Sequence, residues 1–207
     1  SREDRNFAEV RRTDLRVRLE PDSASMAGSA ALHVGIRQPG EDKLLLGLNR
    51  GLAVEKITWA DEMTLSFTRT ADVLTVSLPG NRPLAAGDSV IITVRFRGTL
   101  FNESQEQGYS QVSIAPEGCF ASWVTSWYPH VLGTGSKSPG TLCFDVPAGY
   151  TVAASGRPLD RKAQDRREVE TFLVRTPLDY SFAAAKYFHR EQTVDGISFG
   201  VYFLQGG

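Results

Sequence analysis

Cysteine is scarce. Cys119 and Cys143 are the only two in 207 residues, too few for a disulfide framework. The pair could form one bridge, or stand as two small buried hydrophobes; spacing alone does not set the Cα separation a bridge needs. Histidine is nearly as rare. His33, His130 and His189 are the three, and none has the His-Glu-x-x-His spacing that puts two imidazoles on one helical face. No apolar run approaches the roughly 20 residues of a membrane span. Neither sign of charge is in excess: 23 Lys and Arg stand against 24 Asp and Glu, for a net charge of −1. That balance gives no basis for a nucleic-acid groove or an anionic-membrane surface. An apolar leader is missing as well. SREDRNFAEVRR has no h-region, so these residues are not a signal peptide, and the compartment is left open.

What is present is alternation. Leu15, Val17 and Leu19 alternate with Arg16, Arg18 and Glu20. Leu32, Val34 and Ile36 follow the same period, as do Val90, Ile92, Val94 and Phe96. Leu142, Phe144 and Val146 alternate with Thr141, Cys143 and Asp145, and Ile197, Phe199, Val201 and Phe203 complete the series. A period of two puts one face on a core and one toward solvent, as in antiparallel sheets. Turn formers separate the runs: Pro79-Gly80-Asn81, Ala86-Gly87-Asp88, Pro147-Ala148-Gly149 and Ser155-Gly156-Arg157-Pro158. The expected class is therefore all-β, an antiparallel β-sandwich or saddle-like sheet with little helix. Residues 2–12 are expected to make a helical turn or two, with Phe7 and Val10 on one side. The charged run 159–168 lacks an apolar stripe and reads as a solvated hairpin loop. No repeat or linker divides the chain, so 1–207 reads as a single domain.

The motifs for chemistry fail one by one. Gly133-Thr134-Gly135-Ser136-Lys137-Ser138 is not a phosphate cradle. Ser136 separates Gly135 from Lys137, and Pro139-Gly140 then leads into a strand pattern, where a helix N-terminus is needed. No Gly-x-Ser-x-Gly elbow exists, and neither cysteine has a histidine near it in sequence. A site built from His130, His189 and Asp145 would need these three to converge across the fold. Asn102-Glu103-Ser104 fits the glycosylation acceptor pattern and marks a surface loop. Trp123, Trp127 and Tyr128 crowd together, as a carbohydrate or partner surface or as packing at a strand end.

The order of segments resembles the N-terminal β-domain of the membrane alanyl aminopeptidase family, the gluzincin zinc aminopeptidases, in a divergent bacterial branch. The opening strand and Gly-containing strand of that domain match residues 13–22 and 26–34. Its Leu-rich strand and its Ala-Val-Glu-Lys-Ile strand match 44–48 and 52–58. The Pro-Leu-x-x-Gly-Asp turn is Pro83-Leu84-Ala85-Ala86-Gly87-Asp88, followed by the long strand to Gly98. The aromatic-Pro signature is Ser126-Trp127-Tyr128-Pro129, and Val146-Pro147-Ala148-Gly149-Tyr150 leads to Ala154-Ser155-Gly156. Residues 180–188 resemble the strand near the domain's end. Two departures stand out. His130 and Val131 replace the Cys and acidic residue usual after the aromatic-Pro, and no Gln or Glu substrate contact is found near Phe120-Ala121-Ser122.

The resemblance implies a non-catalytic domain that covers one side of the substrate cleft in a larger zinc metallo-aminopeptidase. Trp127, Tyr128 and His130 are the residues expected near that cleft. The Gly-x-Met-x-Asn motif, the His-Glu-x-x-His helix and the third zinc ligand would lie in a catalytic domain following residue 207. On that reading this chain holds no catalytic residue, metal or cofactor of its own, and zinc belongs to the parent. Its partners would be the following catalytic domain and, through the parent, a peptide substrate. Two alternatives stay open: a carbohydrate- or protein-binding β-sandwich using Trp123, Trp127 and Tyr128, or the scaffold of a decayed family member.

Overall fold

The computed structural model of the chain describes residues 7–39, 42–60, 63–80, 84–102, 110–133 and 137–204. Strands dominate. The longest alternating runs pair to form an eight-stranded sheet around β1 (Ala8–Glu20) and β2 (Ser25–Ile36). Beside β2 come β8 (Ser89–Gly98), β4 (Leu52–Trp59) and the two-residue β5 (Met63–Thr64). Beside β1 come β12 (Ser138–Pro147), β15 (Arg167–Leu178) and β14 (Arg157–Gln164). The expected alternation holds through this sheet. In β1 Leu15, Val17 and Leu19 are buried while Arg16 and Arg18 are exposed, and β12 alternates along its whole length. Gly28 of β2 makes room for a neighbour: a Cβ there would lie 2.6 Å from Cζ of Phe96.

One pairing is not antiparallel. β1 and β12 run parallel, with Leu15 opposite Leu142 and Val17 opposite Phe144. Alternation shows which face a residue takes but not the direction of its partner strand, so the sequence held no sign of this.

Two four-stranded sheets complete the core. One is ordered β13 (Thr151–Ala154), β16 (Phe182–Ala185), β10 (Gly118–Ala121), β9 (Val112–Ala115). The other is ordered β11 (His130–Val131), β3 (Lys43–Gly47), β7 (Val73–Ser77), β6 (Phe67–Thr70). Buried side chains from all three sheets form one hydrophobic cluster. The turn at Pro147-Ala148-Gly149 forms as expected: the Tyr150 amide donates to the Pro147 carbonyl at 3.1 Å, and Gly149 takes φ +85°.

Three expectations need correction. Residues 8–12 are strand, not helix, because Ala8, Glu9 and Val10 pair with Ile36, Gly35 and Val34 of β2; residues 2–6 lie outside the described residues. The charged run 159–168 is hairpin strand rather than loop, turning only at Asp165-Arg166. Ile197, Phe199, Val201 and Phe203 alternate, but they turn toward no core. They belong to β18 (Ile197–Leu204), which pairs with β17 (Tyr187–Val194) in a separate two-stranded sheet, and they are all exposed.

Candidate functional site

The stretch Ser126-Trp127-Tyr128-Pro129-His130 follows a single 3-10 turn at Trp123–Thr125. Ser126 ends that turn at φ 50°, and its carbonyl accepts the Asn49 amide at 2.8 Å. This change of direction sends Trp127 and Tyr128 inward. Both are fully buried, with 0% and 1% exposure. The Trp127 indole N–H donates to the Tyr180 carbonyl at 2.9 Å, and its rings meet Phe182 edge-on at 4.8 Å. Tyr128 stacks on Tyr180 at 5.1 Å, and its hydroxyl accepts the Tyr180 amide at 3.3 Å. The Tyr180 hydroxyl continues the chain by donating to the Ser138 carbonyl at 3.0 Å, and the Ser138 hydroxyl donates to Thr13 Oγ1 at 2.9 Å. The aromatic-Pro piece therefore locks sheet to sheet, with its polar atoms satisfied inside the core.

His130 stands at the edge of this block. It pairs with Gly47 in β11–β3, and its ring lies where a side chain on residue 47 would be: a Cβ on Gly47 would come within 2.6 Å of Cε1. Nδ1 faces the Tyr128 carbonyl at 3.3 Å. Burial pulls the imidazole below its ordinary value, against the Tyr128 carbonyl and the charge of Asp179, which favour the protonated ring. His130 is thus a partly exposed ring kept largely neutral, bordered by the glycine of a neighbouring strand.

Asn49 is the residue that sequence reading missed. It is buried, and its amide group donates to the carbonyls of Phe101 and Thr125, both at 2.9 Å. Its Oδ1 accepts the amides of Gly51 at 3.0 Å and Phe101 at 2.8 Å. Arg69 works in the same way nearby, donating to the carbonyls of Leu48, Asn49, Leu52 and Ala71 at 2.5–2.9 Å. Desolvation lowers its pKa, offset in part by Asp72. A small polar cleft of about 60 Å³ opens here between Asn49, Asp72, Gln111 and Ser126. Bonds from side chain to backbone between separate segments, 52 and 76 residues apart for Asn49 and 17–21 for most of those of Arg69, leave no periodic trace, so no signal in the sequence marks either residue.

The other candidates are dispersed. Cys119 is buried in β10, Cys143 is half-buried in β12 of a different sheet, and both are free thiols. His33 lies on an outer strand face with Nε2 at 3.2 Å from Asp14. His189 stacks on Tyr202 at 4.4 Å, and Asp145 takes an ion pair from Arg167, so His130, His189 and Asp145 do not converge. Among the described residues, no three His, Cys, Asp or Glu side chains gather as metal ligands would. Residues 134–136 of the glycine-rich loop and 103–104 of the acceptor motif lie outside the described residues. No described helix is long and apolar enough to cross a membrane. Of the three aromatics proposed as a binding surface, Trp123 alone is exposed.

No family model matches the chain, and no curated protein matches it. Solved structures do match. An M1 zinc metallopeptidase mutant from Deinococcus radiodurans aligns over 91% of this chain with a TM-score of 0.76 and 20% identity. The fold is one that M1 zinc metallopeptidases contain. The same type of protein bound to a Tyr-Ser-Ala substrate aligns over 94% at TM-score 0.75 and 19% identity. A two-domain M1 zinc metallopeptidase mutant bound to L-arginine aligns over 94% at TM-score 0.77 and 19% identity. This chain spans under half of each of those chains, 44%, 47% and 46% respectively. At such identity the likeness establishes the architecture, in agreement with the resemblance read from the segment order, and residue roles do not transfer with it.

Proposed function

We propose that this chain is the non-catalytic N-terminal β-domain of a zinc metallo-aminopeptidase, covering one side of the parent's substrate cleft. The observation that carries the reading is the likeness across more than nine-tenths of this chain to less than half of M1 metallopeptidase chains. The β17–β18 hairpin supports it. Its Phe188, Val194, Ile197, Phe199, Val201 and Phe203 are 46–61% exposed and lie on one face, a surface that the rest of a larger protein would cover. The following catalytic domain is the partner, and a peptide is the parent's substrate.

In this reading Trp127 and Tyr128 shape the cleft wall from behind, as packing. His130, partly exposed and held largely neutral, is the member of the trio that reaches the cleft side. In the same reading zinc and its bound water belong to the catalytic domain, and this chain carries no step of the reaction.

The test is to read the parent gene beyond codon 207 and assay its product. A frame encoding Gly-x-Met-x-Asn, then His-Glu-x-x-His and a later Glu, with bound zinc and hydrolysis of aminoacyl amides, is the expected result. A frame without the zinc helix removes the reading. A parent that keeps the helix but shows no hydrolysis points to the decayed scaffold.

A further inference from the structure

One row across the outer face of the large sheet is built against ordinary sheet electrostatics. Arg16 of β1 lies opposite Ser29 of β2, Ser29 opposite Arg95 of β8, and Arg95 opposite Lys56 of β4. Directly paired residues point to the same face, so these four side chains share one side of the sheet. Arg16, Arg95 and Lys56 are exposed. Like charges set directly opposite destabilise a sheet, and Arg95 and Lys56 are such a pair.

Three other arginines of this face are neutralised, while Arg157 at its β14 edge has no ion pair among the described residues. Arg12 grips Asp14 at 2.6 and 2.7 Å, Arg18 reaches Glu20 at 2.5 Å and Asp145 at 3.7 Å, and Arg97 reaches Glu55 at 2.8 Å. Arg16, Arg95 and Lys56 have no ion pair among the described residues. The bulge at Glu55 explains part of this: it shifts the register so that Lys56, rather than the carboxylate, lies opposite Arg95. A second observation lies one residue pair along the same face of β8. Thr93 is 9% exposed, and its Oγ1 is buried without a hydrogen-bond partner among the described residues. An unpartnered hydroxyl thus lies two residues from Arg95 on the same face of β8, in the neighbouring row with Ala31 and Thr58.

We infer that this row is a binding site for a tetrahedral oxyanion, a phosphate group held between Arg16 and Arg95 over Ser29, with Lys56 on its flank. Neighbouring strands lie about 4.8 Å apart, which puts the Arg16 and Arg95 backbones about 10 Å apart with only a serine between them. Two guanidinium groups can meet above so short a side chain, and each offers paired N–H donors that match phosphate oxygens. The phosphate removes the repulsion that the bare row carries. The site does not depend on the metallopeptidase reading.

The test is an amide NMR titration of this chain with sodium phosphate, O-phosphoserine and sodium chloride at matched ionic strength. The amides of Arg16, Ser29, Arg95 and Lys56 should move to saturation with a phosphate ligand and not with chloride. Saturation by inorganic phosphate assigns the free ion, and saturation by O-phosphoserine alone assigns a phosphorylated chain. Arg95→Thr, which keeps a good strand former, should weaken that binding at least tenfold and raise the melting temperature in anion-free buffer. Shifts that never saturate, an unchanged affinity in Arg95→Thr, or a lower melting temperature in that variant would each overturn the site.

Discussion

Two carboxylates, Glu170 buried and Asp14 half-buried, respond to pH in opposite directions, and the difference lies in what each one touches. Glu170 is buried in β15 between the large sheet and β13, where Oε1 accepts the Val152 amide at 2.9 Å. Desolvation raises its pKa, and the Val152 amide and Arg161 offset this only in part. The neutral form fits the fold better, so its stabilisation is present below the ordinary carboxylate value and is lost as pH rises through the raised one. Asp14 is also pulled upward by burial, but the Arg12 and Thr141 hydrogen bonds outweigh that and leave its pKa lowered. Its contribution is present above the ordinary value and is lost as pH falls through the lowered one. Glu170→Gln, which keeps an acceptor for Val152, is therefore expected to stabilise at neutral pH and to change little in acid. Asp14→Asn is expected to destabilise at neutral pH and to change little in strong acid. Urea midpoints measured across pH for the two variants check this, and parallel curves for both would refute it. Glu170 stands out only once β15 is in place, as a carboxylate in an inward series with Phe172 and Val174. Asp14 was not legible either, since besides Arg12 of its own strand its partners His33 and Thr141 come from β2 and β12.

At the scale of elements, the edge hairpin β14–β15 shows how a strand is made without a core face. β14 is exposed along its whole length, and its charges keep that edge from pairing with another sheet. Salt bridges run along it, Lys162 to Asp160 at 2.6 Å and Arg161 to Glu168 at 3.2 Å. The chain reverses at Asp165 and Arg166, which take φ 47° and 62°, as a two-residue hairpin turn of the favoured hand requires. A non-glycine residue in that region carries strain. Arg166→Gly should stabilise the chain by about 0.5–1 kcal/mol, because the turn conformation costs glycine little. A thermal melt would detect it, and an unchanged or lower midpoint would mean that the turn is not strained. The equivalent turn in β17–β18 already reads Asp195-Gly196, a hairpin signal that goes with the alternation on its far side. β1, β2, β8 and β12 were legible because each repeats its period at least three times, whereas β14 is exposed along its length and carries no period. The short β9, β10, β11 and β13 were not legible, since two to four residues carry no period, and β11 is the strand that carries His130. The burial of the aromatic pair follows from the left-handed turn at Ser126, a backbone feature that a serine does not announce.

For the molecule as a whole, the core and the hairpin β17–β18 obey different rules. Three sheets share one buried cluster, so removing a strand from any of them opens the core. The hairpin pairs only with itself, and a lone two-stranded ribbon is marginal in water. On one face its rings pack on each other: Tyr202 meets Tyr187 at 5.7 Å and His189 at 4.4 Å. On the opposite face, Phe188 lies opposite Phe203 and Val194 opposite Ile197, with Phe199 and Val201 between. Such a continuous apolar face drives association when nothing covers it. The isolated chain should therefore self-associate as its concentration rises, with a sedimentation coefficient that increases across a dilution series. Replacing Phe199 and Phe203 together by Thr keeps strand-forming residues while removing two rings, and should return the chain to monomer. The melting midpoint should hardly move, because neither ring belongs to the shared core. A parent in which the following domain covers this face should stay monomeric without any substitution. If the isolated chain is monomeric at the highest concentration reached, the face is already satisfied, and the hairpin loses its value as support for a missing neighbour. If the double variant melts much earlier instead, the hairpin is part of the core's stability and its exposure has been misread.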